Sequence, residues 1–466
     1  MQDLTTGSVT RHLLKTTGFM LVTMVFQTLY FLVDLYWVGR LGKEAVAGVG
    51  LAGNLMFIVL AITQMLGVGT TVLISHAAGR KEHDRALLVF NQAQVLSMLV
   101  AVLFFVVAAL ASGPYVRALA ADGATARLAL AYLAWFVPAM ALQFGIVAMS
   151  AALRGIGDFR PGMIVQTSTV VINMVLAPIL IFGWVTHRPL GVAGAALSTL
   201  VAVVIGTVWL LTYFLKPGAF LRFMPSDWKP RPSLWAGMLQ VGLPTGAEFA
   251  LMAAYLFLVY ALARPFGSAA QAGFGIGMRI LQSGFMPVVA LGFAVAPVAG
   301  QNVGARLPGR VAEVFRSAVI MAASAMALFT LVCHLIPAAM IRVFSADPEV
   351  VAVGDEYLRI ISWNFVASGV IFVASSMFQA LGNTVPSLLA SLVRILVLAI
   401  PAVLLSRMPG FHLRWIWYLS VASVTFQMLL SLLLLRREFR RRMYGPVAAA
   451  VPSAATAPVT VPATND

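Results

Sequence analysis

The chain has 466 residues, 61% of them hydrophobic and only 10% charged, with 31 Lys+Arg against 16 Asp+Glu. Soluble domains carry about 25% charged residues, so a string of soluble domains is excluded, as is disorder over more than short segments. The net charge of +15 is scattered singly between apolar runs, which argues against nucleic acid, and the lone Cys333 excludes a disulfide framework or a cysteine-pair metal site.

What remains is a polytopic membrane protein, in which a helix needs about 20 apolar residues to cross about 30 Å of hydrocarbon. Twelve runs qualify, near residues 13–38, 45–75, 88–112, 128–150, 161–183 and 190–215, then 236–262, 270–300, 312–337, 354–380, 386–408 and 412–435. The first is long enough to span and lacks a cleavage site, so it is read as retained. The expected fold is all-α: two six-helix lobes, 1–215 and 236–440, around a central cleft. A Pro-rich, charged cytoplasmic linker (216–235) joins them, and an Ala/Pro/Val/Thr-rich tail (441–466) is expected to be disordered. A cytoplasmic N-terminus puts 19 Lys and Arg on inner segments and 9 on outer ones, so both termini are expected on the cytoplasmic side of the plasma (inner) membrane.

Self-similarity recurs at one fixed offset, the one that carries Gly42 onto Gly267. At that offset Ala45, Ala47, Gly48 and Gly50 fall on Ala270, Ala272, Gly273 and Gly275; Gly79 falls on Gly304 and Arg85 on Arg310. Asp122 falls on Asp347, Tyr132 on Tyr357, and Gly157 and Pro161 on Gly382 and Pro386. An offset containing six spans keeps both copies the same way up, so the halves are parallel repeats, an architecture in which substrate sits between them. Gly48-x-Gly50-x-x-Gly53 formally matches a dinucleotide fingerprint, but no strand precedes it, and close helix approach is the better account.

Phe31-Leu-Val-Asp34-Leu-Tyr-Trp-Val-Gly39-Arg40-Leu-Gly42 and the following Ala45-Val-Ala47-Gly48-Val-Gly50 resemble the MATE (multidrug and toxic compound extrusion) family. So do Gly242-Leu-Pro244, Ala299-Gly-Gln301-Asn302-x-Gly304-Ala305 and Gln379-Ala-Leu-Gly382-Asn383-x-x-Pro386, with the match covering roughly 10 to 440 and looking closest to the DinF-like bacterial branch. The resemblance implies export of organic, often cationic, compounds in exchange for H⁺ or Na⁺. It also implies cation-coupling roles for Asp34 and Asn173. Four residues after Asn173, where many relatives carry a second Asp, stands Ala177, which weakens a Na⁺ site at Asp34 and Asn173 and leaves proton coupling the stronger expectation.

Charges inside apolar runs are costly and therefore functional candidates. Asp34 lies about 21 residues into the first run, roughly 31 Å along it. Gln27, Tyr30, Asp34 and Trp37 share one helical face. Because burial penalises the charged form, a carboxylate there can take up a proton in one conformation and release it in another; alternatively it is an interfacial Asp paired with Arg40. Glu248 and Arg279, roughly 18 Å and 15 Å into consecutive antiparallel helices, are expected to pair or share a polar network facing the cleft, as a permanent salt bridge or a switchable one. Asn54, Met252, Tyr255, Gln282 and Met286 are the further residues expected along that cleft, where methionines and aromatics suit varied apolar cations but also serve as ordinary lipid-facing fillers. Arg394 is expected to snorkel to the cytoplasmic surface. The leading function is a secondary antiporter with no cofactor and no resident metal, whose partners are small organic substrates and membrane lipid, acting as a monomer. The alternative is a flippase for a lipid-linked precursor, which would need more Arg and Lys in the cleft. The six histidines are dispersed and no H-E-x-x-H or G-x-S-x-G run occurs, so an enzyme is not expected.

Overall fold

Left-handed backbone recurs at the repeat interval. Gly42 (φ 106°) and Gly267 (φ 86°), Lys81 (φ 61°) and Arg306 (φ 55°), and Gly157 (φ 80°) and Gly382 (φ 74°) are three pairs separated by the repeat offset. Glycine adopts this conformation at no steric cost, whereas Lys81 and Arg306 are held in it by the turns that join successive helices. Helix starts repeat likewise: Asp122 caps one helix by accepting from the Thr125 amide (2.7 Å), and Asp347 caps its counterpart by accepting from the Glu349 amide (2.9 Å).

The structure, a computed structural model, describes residues 2–120, 122–185 and 187–445, apart from the side chains of Asn54, Ala253 and Arg264. The first half holds α1 (Val9–Gly39), α2 (Lys43–Gly79), α3 (His83–Leu119), α4 (Gly123–Gly155), α5 (Arg160–Phe182) and α6 (Gly191–Phe214). The second holds α7 (Pro232–Ala263), α8 (Gly267–Gly304), α9 (Pro308–Leu335), α10 (Pro337–Arg342), α11 (Pro348–Ile361), α12 (Asn364–Ala380), α13 (Val385–Leu405) and α14 (Leu413–Tyr444). Eleven of these are long and apolar enough to cross a membrane, and α11 and α12, bent by 55° at their break, pass the same test as a pair. Large apolar side chains such as Phe31, Phe57, Leu103, Leu110, Phe257 and Leu335 lie exposed on the exterior, as hydrocarbon permits.

The second half departs from the expected runs in two places. The run 354–380 is two helices broken at Ser362–Trp363, and the counterpart of the unbroken α3 stops at Leu335 and restarts at Pro337, whose missing N–H cannot continue the ladder. The chain also stays helical through 441–444, where a disordered tail was expected, because Glu438 accepts from Asn383 Nδ2 (3.0 Å) and Arg442 Nε (2.9 Å). Residues 446–466 of that expected tail lie outside the described residues.

Buried apolar side chains form one cluster from Val38 to Met238 and another from Val259 to Leu435. The second also takes in Leu4, Val9 and Leu13, so the start of α1 packs on the opposite half, and α7 reciprocates by packing along α2. The segment 216–235 is not a free tether. Buried Asn91 of α3 accepts from the Met224 amide (3.0 Å) and Trp228 Nε1 (3.1 Å) and donates to the Arg222 carbonyl (3.1 Å). Gln92 beside it donates to the carbonyls of Asp227 and Lys229 and accepts from the Arg231 amide. Asn91→Leu leaves two donors without their acceptor, so it is expected to destabilise the protein by about 2 kcal/mol, read as a drop of several degrees in Tm in detergent.

Candidate functional site

Small residues decide where the two halves touch. A Cβ added at Gly69 would collide with the Met238 carbonyl, at Gly242 with that of Met65, at Gly79 with that of Gln301, and at Gly304 with that of His76. All four contacts cross between halves in the part of the bundle nearer both chain ends, here called the terminal face. Toward the opposite end, Gly48, Gly273, Gly277 and Gly284 meet Ala129, Val353, Tyr357 and Phe329 of their own half, and Gly50 and Gly53 meet nothing. The halves therefore meet backbone to backbone at the terminal face, while the glycines toward the other end pack within their own half or meet nothing.

In the first half, one polar cluster interrupts the apolar packing. Asn173 of α5, only 3% exposed, donates to Thr199 Oγ1 (3.0 Å) and Ser198 Oγ (3.3 Å) of α6. The Tyr30 hydroxyl of α1 shares Thr199 Oγ1 at 3.2 Å. Asp34, one turn further along α1, has a buried Oδ1 with no hydrogen-bond partner among the described residues, and Tyr132 of α4 lies within electrostatic reach of both Asp34 and Tyr30. Arg40 does not pair with Asp34; its guanidinium lies over the rings of Tyr36 (5.0 Å) and Trp37 (5.6 Å). Trp37 closes the outer side of the cluster edge-on against Phe182 and Trp184. Gln27 is exposed and bonds to none of these groups. The cluster supplies one carboxylate, two phenols, an amide and two hydroxyls, a set able to exchange a proton. Among the described residues no three His, Cys, Asp or Glu side chains gather as a metal site.

The second half corrects the expected Glu248–Arg279 pair. Arg279 is exposed and forms no ion pair among the described residues, while Glu248 lies against Ser375 of α12 and Ser387 of α13. Those two hydroxyls bond each other at 2.9 Å, and Glu248 Oε1 is buried without a partner. Arg394 also departs from expectation. Thr384 Oγ1 donates to the Val241 carbonyl, which sets α7 and α13 in register. From there Tyr255 lies about 21 Å outward and Arg394 about 15 Å, by helical rise. The Arg394 guanidinium, 5.0 Å from the Tyr255 ring, thus points away from the terminal face and not toward it. Met252 and Gln282 are exposed, Met286 lies 3.9 Å from Thr28 Oγ1 of α1, and Met278 accepts from the Tyr357 hydroxyl at 3.1 Å. The side chain of Asn54 lies outside the described residues.

Sequence reasoning missed three groups. Ser198 and Thr199 carry no charge and sit in an apolar run. Arg154, counted with the inner loops, lines a small cavity between the halves with Gln64, Thr71, Phe293 and Gln379, and Gln379 is its counterpart in the repeat. The repeat offset was the signal that could have drawn attention to that position.

The MatE family model matches residues 20–179 and again residues 244–405, once in each half. The probable multidrug resistance protein YoeA of Bacillus subtilis is 25% identical over 416 residues, covering 88% of this chain and 90% of that one. The probable multidrug resistance protein NorM of Thermotoga maritima is 25% identical over 411 residues, 88% of each. The structure of a multidrug resistance MATE family transporter of the MOP superfamily in an outward-facing conformation superposes with a TM-score of 0.86 at 24% identity, covering 94% of this chain and 98% of that one. With the family model matched in both halves, the chain belongs to the MatE family and is a membrane transporter, not an enzyme.

Proposed function

We propose that this transporter is a multidrug antiporter that exports organic, often cationic, compounds in exchange for protons, alternating between states open to either side of the plasma membrane, with both termini in the cytoplasm. The observation that carries the reading is Asp34: a buried carboxylate oxygen without a partner among the described residues, one turn from Tyr30, whose hydroxyl shares Thr199 with Asn173. An ionised carboxylate is costly in hydrocarbon unless it binds a proton or cation, so its loading state biases how the surrounding helices pack. A single carboxylate with Ala177 one turn after Asn173 favours a proton over Na⁺, which benefits from several oxygen ligands including more than one acid. Glu248, set against Ser375 and Ser387, gives the second half its own acidic group. Met252, Tyr255 and Met286 offer adaptable apolar contacts to the substrate, and Gln282 a polar one.

Dye export, read as uptake into everted membrane vesicles, tests this under separately imposed pH and Na⁺ gradients. Efflux is expected under the pH gradient and at background under Na⁺ alone. Efflux driven only by Na⁺ would reassign the ion, and none under either would overturn the antiporter.

A further inference from the structure

Beneath Arg154 and Gln379, the terminal face is closed by two hydrogen bonds that obey the repeat. His76 near the end of α2 donates from Nε2 to the carbonyl of Ala380, the last residue of α12, at 2.7 Å. Gln301 near the end of α8 donates from Nε2 to the carbonyl of Gly155, the last residue of α4, at 3.0 Å. Donor matches donor and acceptor matches acceptor at the repeat offset, so each half lends a side chain to the C-terminal carbonyl of the same helix in the other half. These carbonyls lack intrahelical partners and need an outside donor. The backbone contacts repeat too: Gly79 lies against the Gln301 carbonyl and Gly304 against that of His76. His and Gln share nothing as residue types except a side-chain N–H that reaches a carbonyl at this distance. That shared capacity is what the two sites retain.

We propose that His76 and Gln301 form a paired latch that holds the terminal face shut, and that both bonds break when the transporter opens toward that face. The inference rests on alternating access, since a latch matters only to a protein that must open there. These are positioning residues that touch no substrate; they set which end of the cleft is sealed. The latch is uneven. Gln301 is fully buried and its Oε1 also accepts from the Leu4 amide (3.0 Å), which ties the N-terminal segment to α8, whereas half-buried His76 has its single bond. The His76 side therefore opens first.

The test compares His76→Leu, Gln301→Leu and His76→Gln by hydrogen–deuterium exchange in detergent, with Tm and vesicle efflux alongside. Losing one latch bond is expected to raise exchange about fivefold in peptides covering 150–158 and 376–384. His76→Gln copies the donor of the other half and is expected to restore native exchange and efflux, which a role in proton transfer would not allow. Native exchange in both Leu variants overturns the latch, as does His76→Gln behaving like His76→Leu. Exchange does not depend on transport, so a failure of the antiporter reading appears in efflux alone.

Discussion

Asp34→Asn is expected to reduce pH-gradient-driven efflux at least tenfold while leaving the protein folded. The amide is nearly isosteric with the carboxyl, so the apolar contacts of α1 with α5 survive. The unpartnered carboxylate oxygen is replaced by a neutral group, so Tm is expected to hold or rise slightly. What disappears is the ability to be charged in one state and neutral in the other. Coupling is a free-energy linkage between two ligands, and removing the proton from one side of that linkage removes the gradient's hold on the substrate. Substrate binding by the purified protein should accordingly lose the part of its pH dependence that Asp34 carries, even where affinity is retained. Efflux by Asp34→Asn at the native rate under a pH gradient would remove the proton from this site. Thr199→Val, by contrast, takes only a shared hydroxyl from Tyr30 and Asn173, and serves as the milder comparison.

The contrast between Asp34 and Thr199 also shows what an unaligned sequence can display. Polar atoms in hydrocarbon are conspicuous only when the residue has no local way to satisfy them. Asp34, Tyr30 and Asn173 have none, so they stand out. Ser198 and Thr199 both bond the Ala195 carbonyl within their own helix, as Thr16 bonds that of His12, and hydroxyls of this kind occur in nearly every span. The repeat was legible because turns and caps demand particular residue types at particular places, as at Gly42 and Gly267 or Asp122 and Asp347. Depth was legible from helical rise; azimuth was not. Glu248 and Arg279 could be brought near the midplane by counting residues, but counting does not say that one turns toward α13 while the other stays exposed. The latch bonds His76 and Gln301 to carbonyls 304 and 146 residues away, and such separations carry no local pattern at all.

Gly242→Ala is the substitution expected to act most strongly outside the polar groups. Gly69 and Gly242 face the Met238 and Met65 carbonyls in an antiparallel crossing, with residues 65 and 69 of α2 meeting 242 and 238 of α7 one turn apart. Each glycine admits the other helix's backbone, so even a methyl group has no room, and the obstacle is a carbonyl that cannot swing aside as a side chain would. The helices must separate, and the separation propagates because Thr384 bonds the neighbouring Val241 carbonyl (2.6 Å) and thereby links α7 to the α12–α13 turn. Overpacking of this kind costs about 1–3 kcal/mol, which predicts a Tm several degrees lower. The state sealed at the terminal face bears that cost and a state opened there does not, so efflux is expected to fall several-fold at temperatures where the variant remains folded. Leu243→Ala, at an exposed position next to it, should change neither quantity. Native stability and efflux in Gly242→Ala would mean that the two helices do not close this tightly during the cycle, and the crossing would lose its role in sealing the terminal face.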